Sequence, residues 1–61
     1  MKTGVYRTKY GNAAVVVYTY LYAAYDLDSE SVIPMEMVTR ELIRGAGESE
    51  IALATDAIEE A

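Results

Sequence analysis

The longest uncharged stretch of this chain is residues 13–25, with the sequence AAVVVYTYLYAAY. Valine, threonine and tyrosine dominate its middle, and β-branched and aromatic side chains favour a strand over a helix. Alternate side chains of a strand point to opposite faces, so Val15 and Val17 face one way and Val16 the other. Both faces are apolar, and the rest of the chain must cover both. The run therefore predicts one long strand at the centre of the fold.

A shorter strand is predicted before this run. Residues 5–10, VYRTKY, alternate in polarity, and Gly11 and Asn12 then separate them from the long run. Glycine in the first turn position suits a two-residue type II′ hairpin because it accepts positive φ. This turn would place Tyr6 opposite Val17. The predicted core face of the hairpin carries Tyr6, Tyr10, Val15, Val17 and Leu21. The opposite face carries a row of tyrosines beside two cations, namely Tyr18, Tyr20, Tyr22, Arg7 and Lys9.

The second half of the chain predicts two helices. Pro34 suits a first helical turn, and apolar residues follow it at spacings of three and four: Met35, Val38, Leu42 and Ala46. Gly45 and Gly47 would end this helix, with Arg44 in its last turn. A second helix is predicted from Glu48 or Ser49, with a buried line at Ile51, Ala54, Ile58 and Ala61.

We therefore expect a single α+β domain of ββαα architecture. It comprises a β-hairpin at 1–25, an acidic linker at 26–33 and a helical pair at 34–61. A short third strand within residues 31–38 is the alternative to a helical start there. A two-stranded sheet is marginal by itself, so pairing across a homodimer could extend it.

Length and composition restrict how such a domain is stabilised. A 61-residue chain buries only about 60% of the surface that its unfolded form exposes. Cysteine and histidine are absent, which excludes disulfides and the usual zinc ligands. Association with a partner is the remaining means of stabilising the domain. The uncharged run is shorter than the ~20 residues of a spanning helix, and acids stand where a signal-peptide cleavage site would be. We expect a cytoplasmic protein that does not enter the membrane.

Charge divides the chain into two unequal halves. Residues 1–25 contain Lys2, Arg7 and Lys9 and no acid, a net charge of +3. Residues 26–61 contain ten acids against Arg40 and Arg44, a net charge of −8. Such asymmetry favours a charged partner surface, and the acidic half would repel nucleic acid.

The chemical motifs in the sequence are weak. Asp26, Asp28 and Glu30 have the spacing of the first three ligands of a calcium loop, but Ser31 replaces the required glycine and Met37 the bidentate glutamate. The carboxylate pairs Glu48/Glu50 and Glu59/Glu60 fall on predicted exposed helix faces, where general acid–base catalysis has no support. We expect no catalytic residue, no metal and no cofactor. The tyrosine row could stack single-stranded bases, but the acidic remainder favours protein contact.

In size, acidity and lack of a catalytic motif, the chain resembles the small phage-encoded antagonists of host defence, including the anti-CRISPR proteins. The resemblance implies a non-enzymatic inhibitor in the host cytoplasm that binds a defence complex and blocks DNA recognition. Helical carboxylates can imitate phosphates and occupy a basic groove. The predicted partner-binding residues are Asp26, Asp28, Glu30, Glu36, Glu48, Glu50, Asp56, Glu59 and Glu60. The alternative is a homo-oligomeric structural or regulatory module assembled through Tyr18, Tyr20 and Tyr22.

Overall fold

Five antiparallel strands and one C-terminal helix build this protein. A computed structural model describes all 61 residues. The strands are β1 (Gly4–Thr8), β2 (Ala13–Val16), β3 (Ala23–Asp26), β4 (Ser31–Pro34) and β5 (Val38–Arg44). A 3₁₀ turn at Met35–Met37 separates β4 from β5, and the helix α1 is Glu48–Glu60. The fold class is therefore α+β, but the predicted ββαα arrangement with two helices is wrong.

The strand order in the sheet is β4-β3-β2-β1-β5. The first four strands form a meander, and the 3₁₀ turn then carries the chain from one edge of the sheet to the other. Backbone hydrogen bonds hold this turn at both ends: the Met35 N–H donates to the Tyr22 carbonyl at 3.1 Å, and the Lys9 N–H donates to the Met37 carbonyl at 2.8 Å. The crossing lets β5 pair with the free edge of β1.

The predicted long strand at residues 13–25 is divided into two. β2 ends at Val16, β3 begins at Ala23, and residues 17–22 form a loop between them. A strand of 13 residues would be about 43 Å long. The longest dimension of the molecule is only 24 Å. Folding the run back on itself lets its two halves pair with each other, which buries both apolar faces in a small volume.

The predicted two-residue hairpin turn is also wrong. β1 and β2 are joined by a four-residue loop, residues 9–12, in which the Gly11 N–H donates to the Thr8 carbonyl at 3.0 Å and Gly11 has a φ of 90°. The Thr8 hydroxyl accepts two further backbone N–H groups from this loop. Tyr6 therefore lies opposite Ala14 and not Val17. The register differs by three residues, and an odd shift moves the side chains of β1 to the other face relative to those of β2.

The sheet consequently has two apolar faces, and they differ from the predicted ones. The first packs against α1 and contains Val5, Val15, Val17, Tyr25 and the helical residue Ala54. The second contains Tyr6, Ala14, Val16, Ala24 and Val38, with Ile33 and Met35 packed against it. Tyr10 and Leu21, which we predicted in the core, lie in loops and are exposed.

The segment predicted as the linker and first helix is mostly strand. Residues 27–30 form a turn, and the alternative prediction of a short strand within 31–38 is confirmed in part by β4 at Ser31–Pro34. The apolar spacing of Met35, Val38 and Leu42 favours a helix locally. Pairing with β1, which would otherwise expose a strand edge, overrides that local preference.

The second predicted helix is confirmed as α1. It begins at Glu48, as predicted, and buries Ala54 and Ile58 against the sheet while Ile51 is half-buried. Its N-terminus follows Gly47, whose N–H donates to the Glu50 carboxylate at 3.0 Å. Gly45 and Gly47, predicted to end a helix, connect β5 to α1 instead. Ala61, predicted on the buried line, is exposed.

Candidate functional site

The outer face of α1 is the most strongly charged surface of the molecule. It carries four exposed carboxylates, which belong to Glu48, Asp56, Glu59 and Glu60. From Glu48 to Glu60 the helix rises about 18 Å. No lysine or arginine follows Arg44 in the chain, so the helix contributes no cation to this face. We call these four residues the acidic face.

The acids at the two ends of α1 interact differently with the helix dipole. Glu48 lies in the first turn, where the positive end of the dipole stabilises a carboxylate. Glu59 and Glu60 lie in the last turn, where the dipole is unfavourable by about 0.3–1 kcal/mol for each exposed acid. No basic residue in that turn compensates them. The helix dipole therefore does not account for the acids at the C-terminal end.

The negative charge of Glu50 is balanced by a contact within the chain. Its carboxylate accepts two hydrogen bonds from the Arg44 guanidinium, at 2.9 and 2.8 Å, and a third from the Gly47 N–H. The hydrogen bonds from Arg44, followed by the one from Gly47, lower the pKa of Glu50 to about 2. The hydrogen bonds to Glu50 raise the pKa of Arg44. This pair fastens β5 to α1, and Glu50 has little free charge to offer a partner.

Asp26 is buried, with only 2% of its surface exposed. Its carboxylate accepts the Asp28 N–H at 2.9 Å and the Asn12 side-chain amide at 3.5 Å. These contacts tie the turn after β3 to the start of β2. A buried carboxylate cannot contact a partner, so Asp26 is not part of the predicted binding surface.

The other predicted acids lie away from the helix, on separate elements. Asp28 and Glu30 are exposed in the turn between β3 and β4, where Glu30 has a positive φ of 54°. Glu36 is exposed in the 3₁₀ turn. The structure assembles no group of three histidine, cysteine, aspartate or glutamate side chains that could hold a metal ion. The calcium-loop spacing in the sequence therefore does not become a coordination shell.

The predicted tyrosine row is not formed, because its members lie in the loop at residues 17–22. Tyr18 and Tyr22 are exposed, whereas Tyr20 is half-buried and donates its hydroxyl to Glu59 of α1. The pKa of Tyr20 is raised mainly by this hydrogen bond to Glu59 and secondly by desolvation. The Tyr20 and Tyr22 rings pack edge to face, with centroids 6.3 Å apart. Arg7 is directed elsewhere, to the Gly11 carbonyl and towards Glu41.

An apolar groove lies on the sheet face opposite α1, and sequence reasoning missed it. Two hollows of about 160 and 330 Å³ share Met1 and Arg40 as common walls. Arg40 supplies the only charged side chain among the lining residues. The apolar lining consists of Met1, Tyr6, Leu21, Met35, Val38 and Leu42. The sequence contained one indication of this groove. Met35, Val38 and Leu42 were predicted to lie on a common face, but that face belonged to a predicted helix.

No protein-family model, no curated protein and no solved structure matches this chain. The protein has a single α-helix, and α1 is too short and too polar to cross a membrane. The acidic face and the apolar groove are therefore the two features from which function has to be inferred.

Proposed function

We propose that this protein is a non-enzymatic inhibitor that binds a basic, nucleic-acid-binding surface of another protein through the acidic face. The observation that carries the proposal is the row of Glu48, Asp56, Glu59 and Glu60 along the exposed side of α1, which has no cation of its own. Glu60 opposes the helix dipole without a hydrogen-bond or ion-pair partner in the chain, so its placement is better explained by a partner protein than by stability.

The charge density of the acidic face is close to that of a nucleic acid strand. One strand of B-DNA carries a phosphate about every 3.4 Å along its axis, or about five phosphates in 18 Å. The acidic face carries four carboxylates over about the same length of helix. A lysine- or arginine-lined groove that attracts a phosphate row would therefore be steered towards α1 by comparable forces.

The fold supports presentation of this row as a rigid surface. Ala54 and Ile58 anchor the inner side of α1 on the sheet, and the Arg44–Glu50 pair fixes its first turn. The Tyr20 hydroxyl fixes Glu59 near the other end. A partner would meet carboxylates that are already positioned, which reduces the entropy lost on binding.

The resemblance to phage-encoded antagonists favours a host defence complex that holds DNA or RNA as the target class. In this proposal the protein occupies the nucleic-acid site and carries out no chemistry. The acidic face makes the primary contact, and the exposed acids Asp28 and Glu30, in the turn between β3 and β4, add to the negative field of the molecule. The alternative, a homo-oligomeric module assembled through Tyr18, Tyr20 and Tyr22, has less support, because residues 17–22 form a loop and not a strand.

The proposal is tested by capturing binding proteins from a bacterial lysate on immobilised protein and eluting them with a short DNA duplex. We expect nucleic-acid-binding proteins to be released by the duplex and by moderate salt. The variant Asp56→Lys should capture far less of them. Glu41→Lys is the matched control, since it makes the same change in net charge on β5, and it should bind normally. Capture that neither the duplex nor Asp56→Lys reduces would refute the acidic face as the contact.

A further inference from the structure

The apolar groove holds three of the large hydrophobic side chains that the fold leaves exposed. Met1 is 43% exposed, Leu21 41% and Leu42 40%, and all three line the groove. They lie together on one face, whereas α1 covers the other. Contiguous exposed apolar patches of this kind mark interaction surfaces. A 61-residue domain without a disulfide also gains more than most from covering such a patch.

Electrostatics favour a second copy of this chain as the occupant. The acidic face of one copy would repel that of another, so self-association through α1 is unfavourable. The groove lies on the opposite face, and its surroundings carry both signs of charge. Arg40 lines it, and Glu36 follows the lining residue Met35 in the 3₁₀ turn. Neither Arg40 nor Glu36 has an ion-pair partner within the chain.

We propose that two copies bind face to face through their apolar grooves. In a twofold dimer the same patch meets itself, so a cation and an anion at the rim of each copy can pair reciprocally. Arg40 of each copy then faces Glu36 of the other, around a centre formed by Leu21, Met35 and Leu42. The rim pairs fix the orientation, and apolar burial supplies most of the affinity.

The molecule is large enough for such an interface. A standard interface buries about 800 Å² of each partner, which is roughly a fifth of the 3668 Å² surface of this chain. That fraction corresponds to one face of the molecule. The dimer would place its two α1 helices outward, at opposite ends. It would thus present two acidic faces as far apart as possible, which minimises their mutual repulsion.

Sedimentation equilibrium over a wide concentration range tests the dimer. We expect the mass to rise from 6.7 kDa to twice that value. Leu21→Glu should raise the dissociation constant about a hundredfold, because it buries an unpaired charge in the interface. Glu36→Arg should also weaken the dimer, and Glu36→Arg combined with Arg40→Glu should restore it. Glu60→Arg, which changes the net charge as much as Glu36→Arg but lies on α1, should dimerise at least as well as the native chain.

The three methionines provide a second, independent readout by NMR of labelled methyl groups. Met1 and Met35 line the groove, whereas Met37, which follows Glu36, does not. On dilution the Met1 and Met35 signals should therefore shift more than that of Met37. This test uses the face opposite the acidic face, so its failure is distinguishable from failure of the proposed function.

Several results would overturn the proposal. One is a monomer at all concentrations, and another is a dimer that Leu21→Glu leaves intact. A charge-swapped double variant that stays monomeric would refute the Arg40–Glu36 pairing. A monomer whose Met1 and Met35 signals shift on addition of octanoate would assign the groove to a small apolar anion instead of a second copy.

Discussion

The packing of α1 on the sheet can be tested by removing the same atoms from its two sides. Ile58 is 3% exposed and faces the sheet, whereas Leu53 is 50% exposed and faces water. Substitution of either residue by alanine removes three carbon atoms from the same helix. The pair therefore separates burial from helix propensity, which changes in the same direction in both variants.

The expected magnitudes follow from burial. Three buried methylene equivalents are worth about 2.4 kcal/mol at ~0.8 kcal/mol each. The cavity left behind adds to this, so Ile58→Ala should cost about 3–4 kcal/mol. Half of that transfer term, about 1.2 kcal/mol, is the upper expectation for Leu53→Ala, which leaves no cavity. A chain of this length has a total stability of roughly 3–9 kcal/mol, so Ile58→Ala should bring it close to unfolding.

Urea denaturation followed by circular dichroism measures both free energies of unfolding. The two variants should keep the native m-value, which shows that the same surface is exposed on unfolding. In thermal unfolding, a loss of about 3 kcal/mol corresponds to a fall in Tm of roughly 12–24 °C for a domain this small. Equal losses for Ile58→Ala and Leu53→Ala, or a larger loss for Leu53→Ala, would contradict the packing of α1 described here.

Two further predictions concern single contacts. The pKa of Glu50 is lowered in the fold, so its contribution to stability is present above about pH 4.5 and is lost as the pH falls towards 2. The difference in Tm between the native chain and Glu50→Gln should therefore shrink over that range, and a constant difference would contradict the pairing with Arg44. Gly11→Ala forces an L-residue to a φ of 90° and should cost about 1–2 kcal/mol in urea denaturation. Gly45→Ala, which meets no atom within 4 Å of the new methyl group, is the control and should leave stability unchanged or slightly higher.

The sequence by itself determined the features that depend on neighbours along the chain. The spacing of Ile51, Ala54 and Ile58 predicted α1 and its buried side, because helix periodicity is a local property. Gly11 indicated the position of the turn between β1 and β2, because the tolerance of glycine for positive φ is also a local property. The exposed acids of α1 followed directly from that periodicity.

Tertiary structure decided the features that depend on what lies across space. The long apolar run became two strands because a molecule only 24 Å across cannot hold a 13-residue strand. Residues 38–44, helical by local spacing, became β5 because the edge of β1 needed a partner. The loop between β1 and β2 set a register three residues from the predicted one and so moved the side chains of β1 to the opposite face relative to those of β2. The apolar groove depends on this register and on the pairing of β5. Tyr6, Met35 and Leu42 come from separate elements that only the folded sheet brings together.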